Sequence, residues 1–437
     1  MGQRARYLLL ACCLLVLAGC GTIGQVGNPP PLIFPPTPQS NSTGSATLSV
    51  YFSLSTPGDT GQNSIIAVDA STGNMRWSFD PQSTIQSGPL LQGDTVYFSA
   101  NNEIIYALDT ADGSVRWNYQ TDGISSVELV DRGVLYAGTD SSNTSRTPST
   151  NIYAINTADG SLNWQAPIMG AVSAVDGNIV YVNSSKGDLY ALSTSDGSQR
   201  WAFSTGNLVS FWQTANGIAY ALSSLPNNFQ GSSVLYALNT TDGTTRWRYP
   251  KDDNTSGVIP LVLSTDILYV VGNDNGGFGL NTIYALNASE ASERWHNELS
   301  VNATIITGFL VDNILYLGAN DSTVYALNAS TGAINWQKRI GSNFANIQLI
   351  DQGVLYISLF NEGLAAVKAS DGSVLWRYKI SGGFIFTPQL INGQLYGAYS
   401  DPNNPTAQGY LFSMSSKDGT LKWRYNPGPG FFFPVVG

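Results

Sequence analysis

The chain has 437 residues, with 30 Asp and Glu against 20 Lys and Arg and a formal net charge of −10. That acidic balance argues against nucleic-acid binding, which calls for a basic stripe, and no run of like charges marks an interaction tail. The three cysteines, Cys12, Cys13 and Cys20, all lie within the first twenty residues, so the remainder has no disulfide, no thiol nucleophile and no cysteine metal site.

In chain order, the first predicted element is a secretory leader, residues 1–19. Arg4 and Arg6 precede an apolar stretch from Tyr7 to Leu17 that is too short and wrongly flanked for a spanning helix. It ends in "LAGC", Leu17 to Cys20. Two small residues followed directly by cysteine resemble the bacterial lipobox. The resemblance implies cleavage before Cys20, lipid on that residue and an extracytoplasmic, membrane-anchored protein; several acyl chains on one cysteine anchor stably. Residues 20–45 are rich in Pro, Gly and Ser ("GNPPPLIFPPTPQSNSTGS", 27–45) and read as a semi-extended tether.

From residue 46 onward the sequence repeats. "AVDASTGNMRW" (67–77), "ALDTADGSVRW" (107–117) and "ALNASTGAINW" (326–336) are three of nine near-copies. The copies end at Trp77, Trp117, Trp164, Trp201, Trp247, Trp295, Trp336, Trp376 and Trp423; of the ten tryptophans only Trp212 lies outside them. Successive motif tryptophans are 37 to 48 residues apart, a propeller-blade period. Within a period, short Val/Ile/Tyr-rich runs such as "GPLLQGD" (88–94), "TVYFSA" (95–100), "IIYALD" (104–109) and "VRWNY" (115–119) read as strands separated by turn residues. Four strands make one blade. The expected fold is therefore all-β: a single propeller domain, residues 46–437, of four-stranded antiparallel blades. The motif glycine is expected in the left-handed conformation of a hairpin turn. Its alanine leaves room for a neighbouring blade, and its tryptophan fills the gap between sheets.

The longer periods carry their extra residues between the second and third strands. These are 139–150, 223–233, 272–281 and 400–409, with 55–63 in the same place in the first repeat. Insertions at one place in the repeat emerge on one face of the disc, which makes that face the expected surface for an unidentified protein or glycan partner. The first repeat lacks a leading strand, and the chain ends in "GFFFPVVG" (430–437). Pairing 431–436 with 47–54 would close the ring and hide two open edges.

The motifs resemble the pyrroloquinoline-quinone repeat of the quinoprotein alcohol dehydrogenases, Ala-x-Asp-x-x-Thr-Gly-x-x-x-Trp. Ala67, Asp69, Thr72, Gly73 and Trp77 match it in full. Later copies drift, with Asn156, Asn239, Asn287, Asn328, Ser193, Lys368 or Ser415 at the Asp position and Ala291 at the glycine. The resemblance implies eight blades; nine well-formed motifs leave nine open. It also implies a quinone over a metal ion, but the family's paired cysteines have no counterpart here. "GNDNGG" (272–277) and "GAND" (318–321) read as turns, and the lone histidine, His296, reads as a blade-edge residue. No catalytic, metal or cofactor residue is assigned, and no cofactor is expected. The layout of leader, lipobox, tether and propeller is similar to the BamB-type assembly lipoproteins, a non-enzymatic branch. The reading is a membrane-anchored, non-catalytic binding or scaffold propeller; the alternative is a small quinoprotein dehydrogenase.

Overall fold

The computed structural model describes residues 48–55, 63–139, 151–224, 233–251, 257–272, 281–299, 303–380, 384–400, 408–429 and 434–437. The leader, Cys20 and the tether lie outside them. Among the described residues there are 36 strands and no helix, grouped as nine four-stranded antiparallel sheets. The sheets stand in a ring as the blades of one propeller. Blade two is typical: Ile85–Gln92 is innermost, then Thr95–Ala100, Ile104–Asp109 and, outermost, Val115–Gln120. Its second strand is buried at every residue, while its outer strand is buried only at Trp117 and half-buried at Tyr119. A strand sandwiched between neighbouring sheets reads as a continuous apolar run, and a rim strand alternates.

The count of nine exceeds the eight that the family pattern suggested. The reason lies at the ends of the chain. Val435–Val436 pairs with Ser49–Ser55 through Val50↔Val436 and Tyr51↔Val435 and becomes the innermost strand of blade one. Every motif thus has a complete blade, and no repeat is left over.

One seam recurs between blades. Each motif tryptophan donates its indole N–H to a backbone carbonyl in the motif turn of the next blade: Trp77 to Thr110 at 3.0 Å, Trp117 to Thr157 at 2.8 Å, Trp164 to Thr194 at 2.8 Å and Trp201 to Thr240 at 2.8 Å. Trp247 reaches Ala288 at 3.1 Å, Trp295 reaches Ala329 at 3.0 Å, Trp336 reaches Ala369 at 2.9 Å and Trp376 reaches Ser416 at 3.0 Å. Trp423 of the ninth blade donates to Ala70 of the first at 2.8 Å, which closes the circle. In several seams the tyrosine of the second strand joins the same acceptor, as Tyr220 does at Ala288 and Tyr269 at Ala329, both at 3.0 Å.

The indole lies flat against the turn glycine of that next blade. A Cβ on Gly113 would sit 2.6 Å from Trp77 Cε3, and its φ is +75°. Glycine is required there twice over, for backbone conformation and for space. Only blade six departs, with Ala291 held at φ +55° opposite Trp247.

Candidate functional site

The two ends of the disc differ. At one end lie the motif turns, built by a second conserved geometry within this chain. The Asp before the glycine accepts the backbone N–H of the Ser or Thr two residues on: Asp112 from Ser114 at 2.9 Å, Asp242 from Thr244 at 3.0 Å, Asp371 from Ser373 at 2.8 Å. The hydroxyl of the same Ser or Thr, and after it this backbone N–H, hold the Asp112, Asp242 and Asp371 carboxyls below the usual range, and at Asp418 the Thr420 backbone N–H leads in holding the carboxyl at about 2, because hydrogen bonds to a carboxylate favour its charged form. Where no Asp is present, Thr72 and Thr331 supply the acceptor oxygen. The sequence signal for this contact is the Ser or Thr that follows the glycine.

The five long connections leave from the other end. Strands finishing at Ser55, Thr139, Ser224, Gly272 and Ser400 are each the second of their blade, and the strands that follow begin at Asn63, Ile152, Ser233, Thr282 and Gln408. The insertions themselves (56–62, 140–150, 225–232, 273–280 and 401–407) lie outside the described residues, and with them most of "GNDNGG". In "GAND", Asn320 accepts Thr304 N–H and ties together the ends of two neighbouring strands, and Asp321 accepts Thr323 N–H within its turn, both at 2.9 Å. His296 sits on the outermost strand of blade six, its Nδ1 2.7 Å from Glu293.

The innermost strands line the axis. Eight of them carry at least one extra residue that breaks the register with the second strand. In blade three it is Glu128, between the pairs Val127↔Ala137 and Leu129↔Tyr136. Glu128 is half-buried, yet it is packed about by protein with no charged partner, and that desolvation lifts its carboxyl to about 8. In blade five it is Trp212, which is buried between the fifth and sixth blades and whose Nε1 has no partner among the described residues.

The quinone site implied by the motif calls for several oxygen donors on a metal ion near the axis. Among the described residues Glu128 is the one carboxylate within the body of an innermost strand; Asp131, Asp176 and Asp351 end theirs at the turns. No three His, Cys, Asp or Glu side chains come together among the described residues. A solitary carboxyl that stays protonated at neutral pH does not fit that donor set.

A cleft of about 330 Å3 opens between the end of the outer strand of blade eight and the second, third and outer strands of blade nine, at the insertion end. Tyr378, Lys379 and Ile380 line one side, and Tyr399, Tyr410, Phe412 and Arg424 the other. The Arg424 guanidinium lies 4.4 Å over the Tyr410 ring. No sequence motif marked this cleft, because its two sides come from successive repeats.

Nine blades of this repeat, joined by tryptophans docked on the next blade's turn, define a propeller of the pyrroloquinoline-quinone repeat class. The profile of the family described as "Outer membrane protein assembly factor BamB" matches residues 42–173, 151–259, 230–345 and 337–430, and the chain belongs to that family. No curated protein matches it in sequence. Among solved structures, one described as a eukaryotic initiation factor is 9% identical, with a TM-score of 0.64 over 89% of this chain and 98% of its own. BamB from Moraxella catarrhalis is 16% identical, with a TM-score of 0.49 over 72% of this chain and 93% of its own. Quinohemoprotein alcohol dehydrogenase ADHIIG from Pseudomonas putida HK5 is 13% identical, with a TM-score of 0.46 over 75% and 71%. At such identities the likeness is one of fold, and fold alone does not carry function.

Proposed function

We propose that this protein is a lipid-anchored, extracytoplasmic and non-catalytic propeller that presents its insertion face to a protein or glycan partner. Membership of the BamB family supports a scaffold role, and "LAGC" supports an anchor on Cys20. The observation that carries the reading is the polarity of the disc. The chain enters blade one at the motif-turn end, where Leu48 O accepts Ala70 N–H at 3.0 Å, and leaves at the same end, where Gly437 and Ser49 exchange backbone hydrogen bonds of 2.9 and 3.1 Å. A tether leading to Cys20 therefore starts from the end opposite the five insertions. That arrangement turns the variable loops away from the anchored side, where a partner can reach them.

Two experiments test this. Cys20→Ser should abolish incorporation of labelled palmitate and release the protein from membranes; label retained on the variant counts against the anchor. A photo-crosslinking residue at Thr144 or Asn228, on two of the insertions, should give discrete adducts in cells. The same residue at Asp159 or Asp242, in the motif turns, should not. Adducts only from the motif turns would reverse the assignment of faces.

A further inference from the structure

Charge is unevenly spread in this chain. Residues 334–437 carry eight Lys and Arg against five Asp and Glu, whereas the whole chain carries 20 against 30. Part of that excess gathers around the cleft between blades eight and nine. Lys379 and Arg424 are exposed at its two sides, and neither has a carboxylate partner among the described residues. One seam earlier, Arg377 and Arg339 donate to the backbone carbonyls of Ile340 and Ser342, so hydrogen bonding to neutral acceptors leaves their charge in place. Glu362, an acid on the insertion end of blade eight, accepts the Ser342 N–H at 2.6 Å and belongs to that earlier seam.

The position of Arg424 is set by the repeat. It follows the docked Trp423 and stands opposite Phe412 across the hairpin, so it points away from the seam that Trp423 fills and towards the connection of blade eight. A cation–π contact over Tyr410 at 4.4 Å restrains the guanidinium, and a guanidinium offers paired N–H donors to a carboxylate. Tyr378 and Tyr399 also line the cleft, over the buried Phe412.

We propose that this cleft binds a hexuronate residue of an acidic polysaccharide, with the sugar's C–H face against the tyrosines and its carboxylate between Arg424 and Lys379. The volume of about 330 Å3 is at the small end of ligand sites and suits one pyranose ring. An acidic peptide could place a carboxylate there but has no use for the aromatic walls, since Asp and Glu side chains present no ring-sized apolar face. An isolated anion site would likewise need no such walls. The assignment rests on the binding reading of the insertion face and names the ligand for one part of it.

The test is calorimetric titration of the mature protein with digalacturonate, with its uncharged counterpart galactobiose and with tri-glutamate. Digalacturonate should bind with a Kd of about 1 mM or tighter. Arg424→Gln and Lys379→Gln, both at exposed positions, should each weaken it by about tenfold or more, with unchanged melting temperature. Galactobiose and tri-glutamate should give no saturable heat. The proposal is overturned by absent binding of digalacturonate, by binding that survives Arg424→Gln, by galactobiose binding as well as digalacturonate, which would make the carboxylate irrelevant, or by tri-glutamate doing so, which would reassign the cleft to acidic peptide. Adducts at Thr144 and Asn228 that persist while digalacturonate fails would leave the insertion-face reading standing and remove only this one.

Discussion

At the scale of single residues, the structure rests on two contacts repeated around a ring, and both invite substitution. Trp117 is buried, donates to Thr157 at 2.8 Å and packs on Gly160. Trp117→Ala should remove about 3–5 kcal/mol, the cost typical of deleting a buried Trp, read as a lower denaturation midpoint; an unchanged midpoint would mean that the seam is dispensable. Blade six offers the opposite experiment. Ala291 occupies the turn position that is glycine in the other eight motifs, at φ +55°, and the Trp247 hydrogen bond beside it is, at 3.1 Å, the longest of the nine. Ala291→Gly should relieve the backbone and let the indole settle, with a gain of about 1 kcal/mol, whereas Gly113→Ala should cost more than that gain. A loss of stability in Ala291→Gly would show that the methyl group packs usefully.

At the scale of strands, legibility in the sequence was uneven for a physical reason. The outer strand and its hairpin were readable because tryptophan, glycine and the turn Asp sit at fixed offsets along one stretch. The innermost strand was not, since one extra residue shifts its pairing and reverses which side chains face which way; nothing local distinguishes Glu128 or Trp212 from its neighbours. The cleft at Arg424 was hidden for a similar reason, as it joins the outer strand of one repeat to the connection of the one before. Glu128 supplies the prediction at this scale. The folded chain holds its proton up to about pH 8, against an ordinary value of 4.5. The unfolded chain therefore releases that proton first, and this group's contribution to stability falls as pH rises from about 4.5 to 8 and is flat outside that window. Glu128→Gln should match the parent near pH 4 and melt progressively higher than it towards pH 9. A difference in melting temperature that does not change with pH would remove the burial argument.

At the scale of the whole molecule, the ring is a chain of equivalent seams with one inequivalent blade. In eight blades all four strands are consecutive in sequence, while blade one takes its innermost strand from the far end of the chain. That strand is short, but it is tied on both sides. Val436 is buried and pairs with Val50, and Gly437 exchanges hydrogen bonds with Ser49. On the ninth-blade side Gln389 clasps it, accepting Val436 N–H at 3.1 Å and donating to Pro434 O at 3.3 Å. The link from blade nine to blade one thus has two parts, this clasp near the axis and the Trp423–Ala70 hydrogen bond at the rim. Deleting residues 434–437 removes the first and leaves the second, and it exposes the edge of Ser49–Ser55, an apolar strand with unpaired backbone groups that invites association. The truncated protein should melt several degrees lower and aggregate in a concentration-dependent way. A synthetic GFFFPVVG peptide added in trans should recover part of the loss by adding a strand to that edge. Trp423→Ala in the same background should then lower stability further than either change alone, since it opens the remaining part of the link. Unchanged melting on truncation would mean that the tryptophan seam alone holds the ring shut and that the terminal strand is an ornament of blade one.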